Sequence, residues 1–164
     1  MFNIIKLNEK DNIGIAPMPI PENTEVNYGI LTKNKIPFGH KISLKNLKKG
    51  SIINIGSFSW MLGQGGMPGY TTAKSAIMGL TRSLARDLGI FNIRVNCIVP
   101  GWIITERQRK LWLTPEIEKQ QLERQCIKRM LEPNDIAKPV LFFASDQSSG
   151  ISAQNYVVDG GIVV

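Results

Sequence analysis

The fold is decided by GSIINIGSFSW at residues 50–60, followed by GYTTAKSAIMGLTRSLARDLG at residues 69–89. The first segment contains a short, continuously apolar run rich in β-branched residues, which is typical of a strand buried on both faces. The second has apolar residues at helical spacing over residues 70–88, and Gly89 stands where glycine commonly ends a helix. A buried strand followed by a long helix predicts an α/β domain.

Two later runs extend this pattern toward the end of the chain. Residues 93–99 (IRVNCIV) and residues 154–158 (QNYVV) are apolar and rich in β-branched residues, so each predicts another buried strand. Helical patterns separate them. Strands that alternate with helices indicate a parallel sheet, because a crossover helix returns the chain to the same edge.

The helices between these strands carry their own signals. Residues 115–127 predict an amphipathic helix that has Pro115 in its first turn. Another helix follows, and Asn134 or Asp135 is expected to cap its first turn. Pro139 conflicts with this helix because proline removes a backbone donor from a helix interior.

The first 50 residues have a different composition, rich in Asn, Lys, Ile and Pro. The β-like runs NIGIAP at residues 12–17 and KISL at residues 41–44 alternate with turn material, and no long helical period occurs. We therefore expect two domains. A small β-rich segment covers residues 1–49, and the α/β domain covers residues 50–164.

Composition and charge indicate which classes of binding partner to expect. The net charge is +7, but no arginine-rich or aromatic-interleaved run occurs, which argues against nucleic acid. A membrane-spanning helix needs about 18 consecutive apolar residues, and no apolar segment approaches this length. No apolar signal-peptide core precedes the domains. Cys97, Cys126 and the single histidine His40 match no metal-ligand spacing. We expect a soluble cytoplasmic protein with a small-molecule substrate and no metal.

Ser57, Tyr70 and Lys74 carry the chemistry. Tyr70 and Lys74 are four residues apart, so they lie on one helix face, and Ser57 at the end of the preceding strand can reach that face. A free tyrosine titrates near ~10, and a neighbouring ammonium lowers such a pKa by favouring the phenolate. The three groups therefore predict a proton-transfer site. A hydride transferred at this site needs a nicotinamide, since no side chain accepts one.

These motifs resemble the short-chain dehydrogenase/reductase family. NIGS, YTTAK, the NIRVNCIVPG run and the final VDGG follow one another as in that family, over about residues 50–163. The resemblance implies the C-terminal part of a Rossmann-like, doubly wound parallel sheet and NAD or NADP as cofactor. It also implies Tyr70 as the acid/base, Lys74 lowering its pKa and binding the nicotinamide ribose, and Ser57 orienting the substrate.

The segment VPGWIIT at residues 99–105 resembles the family loop that touches the cofactor. In that resemblance Pro100 and Gly101 shape the turn. The backbone of Ile103 faces the carboxamide, and Thr105 reaches the cofactor phosphates. Together with the tyrosine and the lysine, these four residues are the cofactor-binding positions that the resemblance implies.

The loop after this segment bears on the substrate. With Trp102 and Trp112, it is similar to members that oxidise aldoses at the anomeric carbon. Aromatic faces suit sugar rings, although both tryptophans could equally serve only to pack the loop. The family's helix at residues 70–88 borders a subunit interface in many members, so the resemblance implies a homo-oligomer.

The N-terminal segment has a second resemblance. IKLNEKDNIGIA at residues 5–16 and IPFGHKISLKNLKKG at residues 36–50 resemble the SAF domain of the altronate/galactarate dehydratase family. This resemblance implies sugar-acid catabolism, but that family's catalytic metal site lies mostly in a large second domain that is absent here. We therefore assign no hydro-lyase chemistry to these residues.

The chain departs from the dehydrogenase pattern before residue 50. The first four strands, the glycine-rich pyrophosphate turn and the residue that selects NAD or NADP have no counterpart. The join lies near Lys48 to Gly50, which suggests a chimeric or truncated product. Three interpretations stay open: an oxidoreductase acting on a sugar or secondary alcohol, with little or no turnover; a non-catalytic chimera; or a small SAF module related to sugar-acid dehydratases.

Overall fold

The computed structural model describes residues 3–5, 13–36, 41–43 and 49–163. The chain divides into two compact units, residues 1–47 and residues 48–164. The domain boundary expected between residues 49 and 50 stays a prediction. His40 and Lys48 lie outside the described residues.

The regular structure described in the first unit is a 3-10 turn (Asn27–Gly29) and four short antiparallel strands. The strands are β1 (Ile13–Ile15), β2 (Glu25–Val26), β3 (Ile30–Leu31) and β4 (Lys41–Ser43). Strand β1 pairs with β4, and β2 pairs with β3. The two β-like runs of the sequence are therefore strands, as predicted, and they pair with each other.

The first unit has a small apolar core supported by a polar clamp. The clamp is Asn27, whose Oδ1 accepts a 2.6 Å hydrogen bond from the backbone N–H of Ile4 and whose Nδ2 donates at 3.0 Å to the Ile4 carbonyl. A paired amide satisfies both backbone groups of a buried residue, which would otherwise cost stability. The core comprises Ile4, Ala16, Ile20 and Val26, with Ile30 and Ile36 packed against it.

The second unit alternates strands and helices. In chain order they are β5 (Gly50–Ile55), α1 (Pro68–Gly89), β6 (Ile93–Pro100), α2 (Glu106–Leu111), α3 (Pro115–Arg124), α4 (Pro133–Ala144) and β7 (Asn155–Val158). Strands β5, β6 and β7 form a parallel sheet in that order. This arrangement confirms the predicted α/β class and the predicted parallel sheet.

Strand β6 forms the core of the second unit. Its residues 95–99 are fully buried, and Cys97 is a core residue, as expected; burial raises the pKa of its thiol. The one amide in this run, Asn96, donates at 2.8 Å to the Ile151 carbonyl and accepts at 3.1 Å from the Gln154 N–H. A buried polar side chain thereby fixes the loop that leads into β7.

Helix α1 is attached to the sheet through a polar contact. Thr81 is buried, accepts a 2.9 Å hydrogen bond from Asn54 Nδ2 in β5, and donates at 2.7 Å to the Ile77 carbonyl. Gly89 is the last residue of the helix, as predicted. The predicted apolar stripe is only partly covered, since Leu80 is 47% exposed.

Two helix termini differ from the sequence-based expectation. Helix α3 ends at Arg124 rather than at residue 127, because Gln125 has an extended backbone. Helix α4 is capped by Glu132, so the prediction of Asn134 or Asp135 as its cap was wrong. Asp135 instead closes a capping box by accepting a 2.8 Å hydrogen bond from the Glu132 N–H. The helix continues through Pro139 as a regular element.

Arg94 holds the end of α4 against the sheet. Its Nη2 donates to the carbonyls of Phe143 (2.9 Å) and Ser145 (3.0 Å), and its Nη1 donates to Ser148 Oγ (2.8 Å). Ser51 in β5 adds a 2.7 Å hydrogen bond to the Phe143 carbonyl. The carbonyls at this helix terminus are thus satisfied by side chains from two strands.

We expect Arg94→Met to lower the free energy of unfolding by about 2 kcal/mol, because charge-assisted hydrogen bonds to carbonyls are lost while the carbonyls stay covered. Urea unfolding followed by far-UV circular dichroism measures the change. The matched control is Arg82→Met on the exposed side of α1, which should shift stability by less than about 0.5 kcal/mol. Equal effects would contradict the anchoring role of Arg94.

A pH dependence follows from the capping box of α4. The Arg129 guanidinium, at 2.7 Å from both carboxylate oxygens, and the Glu132 N–H lower the pKa of Asp135 to about 2 from an ordinary 3.8. The folded form prefers the carboxylate. The stabilisation is therefore present above pH 4 and is lost as the pH falls toward 2.

We expect Asp135→Asn to reduce stability at neutral pH by about 1 kcal/mol, the usual value of a cap. The variant should also lose less stability than the parent between pH 5 and pH 2 in chemical denaturation. Asp87→Asn on α1 serves as the control. An unchanged acid dependence in the Asp135 variant would show that this carboxylate does not govern the acid transition.

Candidate functional site

Ser57 lies just beyond the carboxyl end of β5. It caps a single 3-10 turn at residues 58–60 and is buried, with 8% of its surface exposed. Its Oγ lies 3.0 Å from Ser59 Oγ and accepts a 3.3 Å hydrogen bond from the Ser59 N–H. These contacts fix the hydroxyl at the end of the strand, where a parallel sheet commonly binds ligands.

Tyr70 and Lys74 lie in the first turns of α1. Lys74 Nζ donates a 3.0 Å hydrogen bond to the carbonyl of Ile55, the last residue of β5, and lies 5.7 Å from the centroid of the Tyr70 ring. The Tyr70 side chain is 47% exposed. The lysine thus joins the helix to the strand end that carries Ser57, and it lies beside the phenol ring.

The turn after β6 depends on Gly101. The Gly101 N–H donates a 2.9 Å hydrogen bond to the Val158 carbonyl, and Pro100 is the last residue of the strand. A Cβ on Gly101 would lie 2.6 Å from the Cα of Asp159, which is closer than real Cβ contacts come. A side chain is therefore excluded where the β6 turn meets the turn after β7.

Ile103 and Thr105 continue this turn into a helix that the sequence interpretation missed. Ile103 forms a parallel bridge with Leu131, and Thr105 caps α2 by accepting a 3.3 Å hydrogen bond from the Gln108 N–H. A threonine followed three residues later by glutamine is a capping signal that could have revealed this helix. The predicted contact of Thr105 with cofactor phosphates stays a prediction.

A cavity of about 1070 Å³ opens beside these residues. Of the predicted site residues, Ser57, Tyr70, Gly101 and Ile103 line it, whereas Lys74, Pro100 and Thr105 do not. Its aromatic lining consists of Phe58, Trp102 and Trp112 in addition to the tyrosine. Its polar lining consists of Ser57, Ser59, Gln64, Gln108, Gln120, Gln121 and Arg124.

Both tryptophans of the sequence-based substrate hypothesis line the cavity. Trp102 Nε1 donates a 2.7 Å hydrogen bond to Gln108 Oε1, and the Arg107 guanidinium lies 5.9 Å from the centroid of the Trp112 ring. The Gln108 side chain is therefore hydrogen-bonded to Trp102 and does not complete a capping box at the start of α2. These contacts orient two aromatic side chains at one wall of the cavity.

Helix α3 supplies lining residues that the sequence did not reveal. Gln120, Gln121 and Arg124 face the cavity, and Gln121 Nε2 donates a 2.9 Å hydrogen bond to Gln125 Oε1. Gln125 Nε2 donates in turn to the carbonyls of Ile127 (2.9 Å) and Arg129 (2.8 Å). In a sequence, polar residues on an amphipathic helix indicate a face exposed to solvent. No sequence signal therefore identified these residues as lining of the cavity.

The last turn of the chain closes the second unit against α3 and β6. The Asp159 carboxylate accepts hydrogen bonds from the N–H groups of Gly161 (2.8 Å) and Val163 (2.7 Å). Gly160 and Gly161 both have positive φ, which favours glycine, and a Cβ on Gly160 would lie 3.0 Å from Gln125 Nε2. Backbone geometry therefore favours the two glycines of the VDGG motif, and its aspartate caps the turn through side-chain hydrogen bonds.

The described part of the chain offers neither a metal centre nor a membrane-spanning helix. No cluster of three or more His, Cys, Asp or Glu side chains in it could hold a metal ion. None of its helices has the length and apolar character needed to cross a membrane. The side chains that line the cavity offer a phenol, hydroxyls, amides and a guanidinium, and the Lys74 ammonium lies beside the phenol ring.

Two family models match overlapping parts of the chain. The model described as enoyl-(acyl carrier protein) reductase matches residues 40–163. The model described as the altronate/galactarate dehydratase SAF domain matches residues 2–58. The two matches meet in the region where the sequence interpretation found the composition to change.

Two curated relatives of the second unit carry names of sugar dehydrogenases. The chain is 53% identical over 113 residues to a probable galactose dehydrogenase from Rhizobium meliloti, covering 69% of this chain and 44% of that protein. It is 47% identical over 118 residues to a D-xylose 1-dehydrogenase from Caulobacter vibrioides, covering 72% and 47%. The chain thus spans about half the length of the curated relatives it matches.

Solved structures show the same likeness. A 4-hydroxyisoleucine dehydrogenase complexed with NADH superimposes with a TM-score of 0.66 and is 34% identical in sequence. The match covers 70% of this chain and 47% of that one. The sheet and helices of the second unit therefore correspond to part of a nicotinamide-dependent dehydrogenase fold.

We expect Gly101→Ala to destabilise the second unit by about 1–3 kcal/mol, because the added methyl overlaps the backbone of Asp159. Thermal unfolding measures the loss. Gly65→Ala is the matched control, since a Cβ there meets nothing within 4 Å and the glycine lies in the loop beside the same cavity. A parent-like melt of the Gly101 variant would contradict the close packing of these two turns.

Proposed function

The chain belongs to the short-chain dehydrogenase/reductase family over its residues 40–163, and on that basis we propose that it is a nicotinamide-dependent oxidoreductase acting on a sugar or another secondary alcohol. The observation that carries the proposal is the common position of Ser57 and Tyr70 on one cavity, with Lys74 fixed beside the phenol ring. These are the proton-transfer groups that alcohol oxidation requires.

The residues present suit the nicotinamide end of a dinucleotide. The donor set is a phenol, an ammonium and the backbone around Gly101 and Ile103, beside a cavity with room for a ring and a ribose. Tyr70 and Lys74 would hold the ribose. Pro100 and Gly101 would shape the turn from which the Ile103 backbone faces the carboxamide, and Thr105 would reach the phosphates. When bound, the cofactor supplies the hydride acceptor. The choice between NAD and NADP stays open.

The proton chemistry belongs to this chain's own side chains. Oxidation removes a hydride from the carbinol carbon and a proton from its hydroxyl, so that a carbonyl forms. Tyr70 as phenolate takes the proton, Lys74 stabilises the phenolate by its charge, and Ser57 donates a hydrogen bond to the substrate oxygen. Since Tyr70 is half exposed, the proton can pass on to solvent.

We propose an aldose as the substrate class, oxidised at the anomeric carbon to a lactone. The names of the two curated relatives, galactose dehydrogenase and D-xylose 1-dehydrogenase, support this choice. The aromatic faces of Trp102 and Trp112 on the cavity support it as well, since sugar rings stack on such faces. The SAF family at the N-terminus is named for enzymes of two sugar acids, which favours the same area of metabolism.

A second candidate function is non-catalytic association. The chain spans about half the length of its relatives, and no glycine-rich pyrophosphate turn precedes β5 in its sequence. Helix α1 leaves Leu80 exposed, on a helix that borders subunit interfaces in the family, which favours pairing of two copies. In this case the chain would form a homo-oligomer without binding the cofactor.

The deciding experiment combines a thermal melt with an assay. We expect NAD⁺ or NADP⁺ to raise the melting temperature, because a ligand of the native state stabilises it by mass action. We expect Tyr70→Phe to lower kcat/KM for aldose oxidation by about 100-fold or more, and to keep part of the cofactor shift because Lys74 would still hold the ribose. Tyr156→Phe, which removes a hydroxyl from a half-exposed side chain of β7, is the control.

The outcomes separate the two candidates. Turnover that survives in Tyr70→Phe would contradict the assigned proton transfer. An oligomer whose melting temperature is unchanged by both dinucleotides would favour the non-catalytic candidate. The melt does not depend on the identity of the sugar, because it is measured with the cofactor alone.

A further inference from the structure

The cavity carries one formal charge among the side chains that line it in the described part of the chain. That charge is the guanidinium of Arg124, at the end of α3. No aspartate or glutamate lines the cavity. The remaining lining is aromatic, aliphatic, hydroxyl or amide. The cavity therefore has a positive end without an internal counter-charge.

Arg124 is not used by the fold around it. Within the described residues its guanidinium makes no ion pair and no hydrogen bond. Helices often use a terminal arginine to satisfy their last carbonyls, but here Lys128 Nζ does so, donating to the carbonyls of Leu122, Glu123 and Gln125. The arginine is left with its donors available to a ligand.

The wall beside Arg124 is built to hold a polar molecule. Gln121 is only 6% exposed, and its Nε2 is committed to Gln125 Oε1. The side-chain oxygen of Gln121, Oε1, has no hydrogen-bond partner among the described residues and can accept a hydrogen bond from a substrate hydroxyl. Gln120 adds a second amide on the same helix. An anchored amide next to a free guanidinium matches a polyhydroxylated chain that ends in an acid.

We propose that the substrate of this site carries a carboxylate as well as the reacting hemiacetal, as a uronic acid does, and that Arg124 is the residue that selects it. The inference rests on the proposed function and deepens it. A guanidinium pairs a carboxylate with two parallel hydrogen bonds. Oxidation at the anomeric carbon then leaves the carboxylate unchanged and gives a lactone acid.

The test compares two ligands that differ in one group. D-galacturonate has a carboxylate where D-galactose has a hydroxymethyl group, and both have the hemiacetal. Trp102 and Trp112 line the cavity, so their fluorescence reports binding to the full chain without turnover. We expect galacturonate to bind about tenfold more tightly than galactose, and more weakly as salt is raised.

Variants then assign the preference to one residue. Arg124→Gln should weaken the affinity for galacturonate by about tenfold and leave the affinity for galactose within twofold. Arg124→Lys should restore part of the lost affinity. Lys119→Gln is the matched control, since it removes the same charge from the same helix away from this cavity. It should change neither affinity.

Several results would overturn the inference. They are equal binding of the two sugars, binding of neither, an Arg124→Gln variant with parent-like affinity for galacturonate, or an equal loss in the Lys119 control. Failure of the proposed function looks different. Galacturonate would then still bind in an Arg124-dependent way, while no dinucleotide shifts the melt and no oxidation follows.

Discussion

The second unit depends on the parallel pairing of β6 with a strand on each side. This strand supplies the continuous buried run of the unit, and the Asn96 side chain ties its backbone to the loop that leads into β7. Because parallel strands end at one edge, the turns after β5, β6 and β7 converge there. Ser57, Gly101 and Asp159 are each the first or second residue beyond a strand, so the cavity is a product of strand register.

The sequence predicted those elements whose periodicity is long and strong, and failed where geometry is local. Strand and helix order in the second unit followed from apolar spacing. Helix α2 was missed because six residues give too little periodicity, although its capping signal, Thr105 followed by Gln108, is present in the sequence. The cap of α4 was misplaced because Glu132 is an uncommon cap, and Arg129 is what makes this terminus favourable.

The candidate site divides in the same way. The grouping of Ser57, Tyr70 and Lys74 could be predicted because it depends on a strand end and one helix face, both of which are local in sequence. Their catalytic roles stay a prediction. Gln121 and Arg124 could not be predicted, because only the tertiary position of α3 turns its polar face toward the cavity. A polar helix face has the same sequence pattern whether it meets water or a ligand.

The contact between Gly101 and Asp159 has a consequence for the order of folding. These residues are far apart in sequence, and their backbones approach more closely than a side chain at position 101 would permit. Closing so long a loop costs entropy before the contact repays it, so the pairing forms after the local helices. A ribosome-bound chain cannot assemble this wall of the cavity until the segment containing Asp159 has left the exit tunnel. Ligand recognition is thus a late property of the maturing polypeptide.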